Sequence, residues 1–409
     1  MGFLSLITVI SSIIGFCYSG EYTSRYAPDN KITKDFYIPN GIEKAVDFWI
    51  DVYAVYDGSD VIIHDCDTYT IYEVINTSDI DNITYLSDAL KQEIINSRVL
   101  SAQKRYRDAL KSLNSYVGEC RDLSDDLQRN VCIKFSSIKG EDKFLDAARP
   151  GRMRVQGGQS SSFKKGLYYS GKYLPEMEEI FKKEGLPMEL TRLPFVESYF
   201  DPTVVSHKQA SGVWQFMRAT GKEYLKIHEG YDERNDPVAS TYAAAKMLKH
   251  NYNILWKQWP LAVTAYNHGR TGMRKAVAAA GSKDLAEVIK NYKGDNFGFA
   301  SKNFYAEFLA ALFIEKHKDN FFEDINRTKP MNYGVVMIMK PMSISQIELL
   351  LDVDKDELRA YNPALSKKVF TGQTNIPEGS KLKVPMSRFK RLLSRTEVVK
   401  GITNYVKFM

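Results

Sequence analysis

Between Gly41 and Tyr56 the apolar residues Ala45, Phe48, Trp49, Val52, Tyr53 and Tyr56 step by threes and fours. That spacing predicts an amphipathic helix, closed by Asp57-Gly58. The polar stretch before it, 21–40, reads as a loose arm. Val61-Ile62-Ile63 and the alternating Tyr69, Ile71, Tyr72 and Val74 predict two short strands. Helical period returns from about Ser87 to Tyr116 and again from Leu123 to Phe135, while Arg149-Pro150-Gly151 and Gly157 to Ser162 read as linker. From Leu174 to Lys318 the period is almost wholly helical, with Pro175 and Pro187 placed as first-turn prolines. Asp236-Pro237 predicts an N-cap followed by a proline at the first helical position, opening an Ala-rich helix over Val238 to Tyr252. Gly221 and Gly269 close apolar helical runs. A further helix, Asn303 to Lys318, carries Phe304, Phe308, Ala311 and Leu312 on one face. After Pro330 the texture changes to strand (Val335, Val336, Ile338), helix (Ile344 to Leu351), helix (Asp354 to Tyr361) and strand (Lys381 to Val384), a compact βααβ module.

The chain has 409 residues, 44% hydrophobic and 26% charged, ample for a packed core and for more than one domain. Its net charge of +6 is mild and no Lys/Arg block is interleaved with aromatics, so nucleic acid is not an expected partner. An anionic polymer such as a carboxylate-bearing cell wall suits the excess. Phe3 to Tyr18 is apolar and uncharged but short of the roughly 20 residues of a membrane span. With Cys17 and Ser19 as a small-x-small site it predicts a signal peptide over 1–19, the alternative being an uncleaved N-terminal anchor. The expected location is the periplasm or cell envelope, with at most a weak membrane or wall association. Bulky Phe16 argues against Cys17 as a lipoprotein cysteine. Cys120 and Cys132 either pair, leaving Cys66 odd, or stay separate buried thiols along with it. Six scattered histidines show no metal-binding spacing, so no metal or cofactor is expected.

The chemistry concentrates at Leu193-Pro194-Phe195-Val196-Glu197-Ser198-Tyr199-Phe200-Asp201-Pro202. A carboxylate in so apolar a setting is costly as an anion; its pKa should rise, which suits a general acid near neutral pH. Asp201, before Pro202, reads as a helix-ending cap. Downstream stand Ser211-Gly212-Val213-Trp214-Gln215-Phe216-Met217 with Thr220-Gly221, then Tyr231-Asp232 with Asp236, then Ala265-Tyr266-Asn267 with Gly269. Taken in order with Glu197-Ser198, these motifs resemble the soluble lytic transglycosylase (SLT) domain, most closely the membrane-bound lytic murein transglycosylase D family. Arg154-Val155-Gln156, Gly166-Leu167, Ser170-Gly171 with Tyr173, Gly185-Leu186-Pro187 and Val46-Asp47-Phe48-Trp49 extend the likeness.

The resemblance implies a mainly α, lysozyme-like catalytic domain that acts on peptidoglycan glycan strands. Glu197 then matches the catalytic acid/base, with Ser198 following it. Ser206 and Gln215 match substrate contacts, and Tyr266 and Asn267 line the cleft opposite. Gly212 is expected to let backbone approach the sugar. With one convincing carboxylate, the implied reaction is non-hydrolytic and ends in anhydromuramoyl products. A lysozyme-type hydrolase and an inactive wall-binding scaffold are the alternatives. Trp214 and Phe216 are either sugar platforms or core. Ser343 with Gln346-Ile347, Leu358 with Tyr361-Asn362-Pro363, and Ile376-Pro377 with Gly379, Leu382 and Val384-Pro385 resemble a LysM module, a binder of N-acetylglucosamine chains. Lys340-Pro341-Met342 replaces its usual Gly-Asp-Thr turn, so simple packing on the catalytic domain is the other reading. The expected division is signal peptide 1–19, mostly helical N-terminal region 20–150, catalytic domain 151–328, LysM-like module 329–386 and basic tail 387–409.

Overall fold

The computed structural model describes residues 22–394 and 404–409. The expected signal segment, 1–19, lies outside them. Helix α1 (Glu43–Ala54) forms where predicted and is buried on nearly every side. The preceding arm is not loose. Tyr22 and Ser24 donate hydrogen bonds to Asp47, Tyr26 and Arg25 donate to Asp51, and both carboxylates are buried on α1. Buried carboxylates need such partners, and the polar arm supplies them.

Strands β1 (Asp60–Asp65) and β2 (Ile71–Asn76) pair antiparallel. Two short and long helices follow, α2 (Ser78–Asp81) and α3 (Asp88–Leu113), then α4 (Asp126–Lys134) and α5 (Lys143–Ala148). A Cys120–Cys132 disulfide fastens the approach to α4, resolving the pairing left open above; Cys66 stays free. Strand β3 (Met153–Gly157) then returns to pair with β1, with Val155 opposite Ile63, completing the order β2-β1-β3.

Helix α6 (Ser160–Lys183) begins in what read as linker, and Pro175 lies inside it rather than at its first turn. An interior proline costs about 3 kcal/mol. The helix buries Phe163, Leu167, Leu174, Met177, Ile180 and Phe181, and burial at about 25 cal/mol per Å² outweighs that cost. Pro187 precedes a 3₁₀ turn, Met188–Arg192, instead of opening an α-helix. Then come α7 (Leu193–Glu197), an irregular stretch, α8 (Arg218–Gly221), α9 (Pro237–Ile254), α10 (Trp259–His268), α11 (Arg270–Ala280), α12 (Leu285–Asn291) and α13 (Phe299–Lys316). Asp236 caps α9 as predicted, its Oδ1 accepting from the amides of Val238 and Ala239. Gly269 ends α10 at φ +85°.

The described residues pack into three cores. One core joins the arm and α1 to α6, α9, α10 and α13, running from Ala27 to Phe322. A second core joins the sheet to α3, α4 and α5, from Ile63 to Met153. The described residues before β1 therefore belong with the central helices, because the apolar face of α1 is covered by α13. The last core holds β4 (Tyr333–Ile338), α14 (Ile344–Leu351), α15 (Lys355–Tyr361), the short α16 (Lys367–Phe370) and β5 (Lys381–Pro385). The described parts of the tail join this core. Phe389 of α17 (Met386–Ser394) packs where Gly334 has no side chain, and β6 (Val406–Phe408) pairs with β4.

Candidate functional site

Helix α7 is a single turn, started by Pro194 and ended by Glu197. Phe195, on its inner side, stacks on Phe163 at 4.8 Å and meets Phe200 edge-on at 4.7 Å. Beyond Glu197 the chain reverses through two residues at positive φ, Tyr199 (51°) and Phe200 (61°). Conformations of that kind are disfavoured for bulky side chains and persist only where packing fixes them. Phe200 is fully buried, and Tyr199 donates through its hydroxyl to Gln159. Glu197 is thus set at the end of a short turn whose flanks are locked.

Glu197 is half-buried, and its carboxyl is pushed up to about 8, first by burial and then by the charge of Glu307. Glu307 lies on α13 and is itself pushed up to about 8 by burial. Burial raises Tyr53 of α1, Tyr199 and Tyr266 of α10, and the charge of Glu307 adds to it at Tyr53 and Tyr199, that of Glu197 at Tyr266. Two carboxyls and three tyrosines converge from α1, α7, α10 and α13. Burial thus favours the protonated form of both carboxyls. Glu307 was missed in the sequence. Its position three residues after Phe304 and four before Ala311 puts it on that helix's apolar face, and this was the available signal. The register of α13 against α1 is pinned by Asn303, whose Oδ1 accepts from Trp49 Nε1 at 2.7 Å and the Tyr69 hydroxyl at 3.0 Å.

The other expected residues are brought to this region, but several are spent on backbone. Ser198 is buried and its hydroxyl donates to the Val213 carbonyl at 2.9 Å. Gln215 donates through Nε2 to the carbonyls of Val204 (2.9 Å) and Gly212 (2.8 Å). Ser206 accepts from the Ala210 amide and closes its own turn. Gly212 also has a reason within the fold to be glycine. Its φ is +81°, and a Cβ there would meet the Arg234 carbonyl oxygen at 1.9 Å, so the close approach is from protein backbone. Trp214 and Phe216 are core: Trp214 stacks on Phe181 and donates to Thr241 Oγ1. Tyr266 donates to the Trp214 carbonyl at 2.8 Å, which ties α10 to the 211–216 loop. Asn267 is exposed and accepts from Ser301 of α13. Asp201 is held by Thr203, whose amide and hydroxyl both donate to its Oδ1. Among the described residues no group of side chains is arranged to hold a metal ion.

The transglycosylase SLT domain family matches residues 177–289. The chain carries an SLT domain. That match holds α7, the 198–217 stretch and α8 to α10, and so every residue expected at the site. Over 97 residues the chain is 45% identical to "Membrane-bound lytic murein transglycosylase D" of Escherichia coli strain K12. That alignment covers 24% of this chain and 22% of the relative. Over 98 residues it is 35% identical to a "Putative tributyltin chloride resistance protein" of Alteromonas sp. strain M-1, covering 24% of this chain and 47% of that one. The chain thus spans less than half the length of these curated relatives. Glu307, beyond residue 289, lies outside the SLT match.

Proposed function

We propose that this chain is a peptidoglycan lytic transglycosylase in which Glu197 serves first as general acid and then as general base. The observation that carries the reading is the place of Glu197 within the SLT match, in surroundings whose burial pushes its carboxyl up to about 8. A neutral carboxylic acid donates its proton to the oxygen linking N-acetylmuramic acid to N-acetylglucosamine as that bond breaks. The muramoyl N-acetyl oxygen supports the cationic anomeric carbon. The Glu197 carboxylate then takes the proton of the muramoyl primary hydroxyl, whose oxygen bonds to the anomeric carbon. An anhydromuramoyl end forms, Glu197 regains its proton, and no water is consumed.

Hydrolysis would ask for a second, ionised carboxylate. Burial pushes the Glu307 carboxyl up to about 8, away from the ionised form, and Asp201 is engaged by Thr203. This favours the non-hydrolytic route. The setting is the cell envelope, and export by the 1–19 segment is part of the proposal. Among the described residues no helix is long and apolar enough to cross a membrane. Residues 329–386 are read as a LysM-like module that helps hold the strand. Glu197→Gln, isosteric and unable to donate an acid proton, should keep the helical circular dichroism and thermal midpoint of the parent. It should lose at least about a hundredfold in the rate of turbidity clearance of purified sacculi. A variant that clears them at the parent's rate would remove Glu197 from the role.

A further inference from the structure

The sheet of β1, β2 and β3 lies outside the SLT match, yet it reaches the helix that carries Glu307. His64 of β1 is buried, with the rings of Phe48 of α1 at 4.4 Å and Phe299 of α13 at 5.7 Å. Arg154 of β3 lies 4.5 Å above the Phe299 ring. Tyr69, in the turn between β1 and β2, packs on Phe48 and donates its hydroxyl to Asn303 of α13 at 3.0 Å. The turn is built to hold it there. Tyr69 has φ +57°, a conformation disfavoured for a bulky side chain and kept only where neighbours fix it. Asp65 Oδ1 accepts from the amides of Asp67 and Thr68, and Arg152, just before β3, pairs with the same carboxylate at 2.8 Å.

We propose that Tyr69 is a positioning residue for the Glu197 site, which makes the unit of β1, β2, β3 and α3 to α5 a working part of the catalytic machinery. The inference rests on the transglycosylase reading above. Two paths of contact carry it. Phe299, Asn303 and Glu307 step by fours along α13 and share one face, so the sheet grips that helix at the two positions before Glu307. The second path crosses α1. The Asn303 oxygen that takes the Tyr69 hydroxyl also takes Trp49 Nε1 at 2.7 Å, and Trp49 packs on Tyr53 at 5.4 Å. Tyr53 meets Tyr199 edge-on at 6.4 Å, two residues beyond Glu197. Asn303 is buried and its side-chain nitrogen is already given to the Phe299 carbonyl. Loss of the Tyr69 hydroxyl therefore removes one of two donors with no solvent to replace it. Helix α13 then shifts at that turn and carries Glu307 with it. The titratable groups that feel the Glu197 carboxyl or act on it are Glu307 of α13, Tyr53 of α1 and Tyr266 of α10, with Tyr199 beside Glu307. Burial raises the Tyr69 hydroxyl, and the charges of Asp67, Cys66 and Glu307 add to it. Burial pushes His64 down to about 4, below the range in which Glu197 titrates.

The test uses the full chain with carbon-13 in its glutamate carboxyls, the Glu197 signal being the one lost in Glu197→Gln, beside rates of sacculus clearance. Tyr69→Phe keeps the ring and removes only the hydroxyl. It should cut the maximal rate about threefold to tenfold at an unchanged half-saturating concentration of sacculi. It should also lower the Glu197 titration midpoint by about half a unit, because the Glu307 charge recedes. That shift should vanish when Tyr69→Phe is made together with Glu307→Gln. Val131→Ala, a cavity in the core of α3, α4 and α5, should lower the thermal midpoint and leave the Glu197 titration where it is. An unmoved Glu197 midpoint in Tyr69→Phe, an equal shift in Val131→Ala, or a shift that persists without Glu307 would overturn the proposal. Clearance by Glu197→Gln at the parent's rate would instead overturn the transglycosylase reading on which it stands.

Discussion

Glu197 and Glu307 share one cleft, and each raised carboxyl has a cost that depends on pH. The folded pKa of each, about 8, lies above the ordinary 4.5. Their contribution to stability is therefore whole below about 4.5 and is lost as pH climbs through about 8. Urea unfolding at pH 6 and pH 9 should show the loss, and Glu307→Gln should recover about 1–2 kcal/mol of it at pH 9. If Glu197 is the acid/base, the charge of Glu307 is expected to reach the reaction through the Glu197 carboxyl. Glu307→Gln should move the alkaline limb of activity to lower pH by up to about one unit, with little change at pH 6. An unmoved limb would separate the two carboxyls. Glu197 was legible in the sequence because Pro194, Phe195, Tyr199 and Phe200 surround it within a few positions. Glu307 was not, because its neighbours in the cleft come from α1 and α7, far away in the chain, and only its place on the apolar face of α13 hinted at burial.

At the scale of elements, the irregular 198–217 stretch does what a helix would do elsewhere. Arg234 pairs with Asp232 and donates to the carbonyls of Gln209 (3.0 Å) and Phe216 (3.1 Å), fastening the loop that Gln215 and Ser198 brace from within. Gly212 sits against Arg234's own carbonyl. Gly212→Ala should cost about 2–4 kcal/mol by urea unfolding, from its positive φ and the lack of room combined. A loss under about 0.5 kcal/mol would mean the loop shifts freely. A helix start with a strong local signal, Asp236-Pro237, was readable. The start of α6 was not. Gln159 makes no side-chain cap, and Pro175 suggested a boundary that tertiary packing overrides.

Across the whole molecule, the order of helices and the βααβ module were readable from period alone, but domain edges were not. The pairing of β3 with β1 and the burial of α1 under α13 are long-range events with no local mark. The tail looked like a basic extension; Phe389, Leu392 and Val406 complete the module's core. The docking of that module rests in part on Lys383–Asp236, both buried. Lys383→Met leaves Asp236 as an unpaired buried carboxylate and should destabilise the chain by about 3–5 kcal/mol. Recovery of stability in Lys383→Met with Asp236→Asn would show that the loss comes from the stranded charge. The module and SLT domain then unfold as one transition in calorimetry; two separate transitions would contradict the docked arrangement.

The central claim is the reaction itself, and the most direct measurement is mass spectrometry of the fragments that the protein releases from purified sacculi, beside the same digest with Glu197→Gln. The account predicts anhydromuramoyl ends that vanish in the variant. Reducing muramoyl ends, heavier by one water, would contradict it and give Glu307 the role of a second working carboxylate.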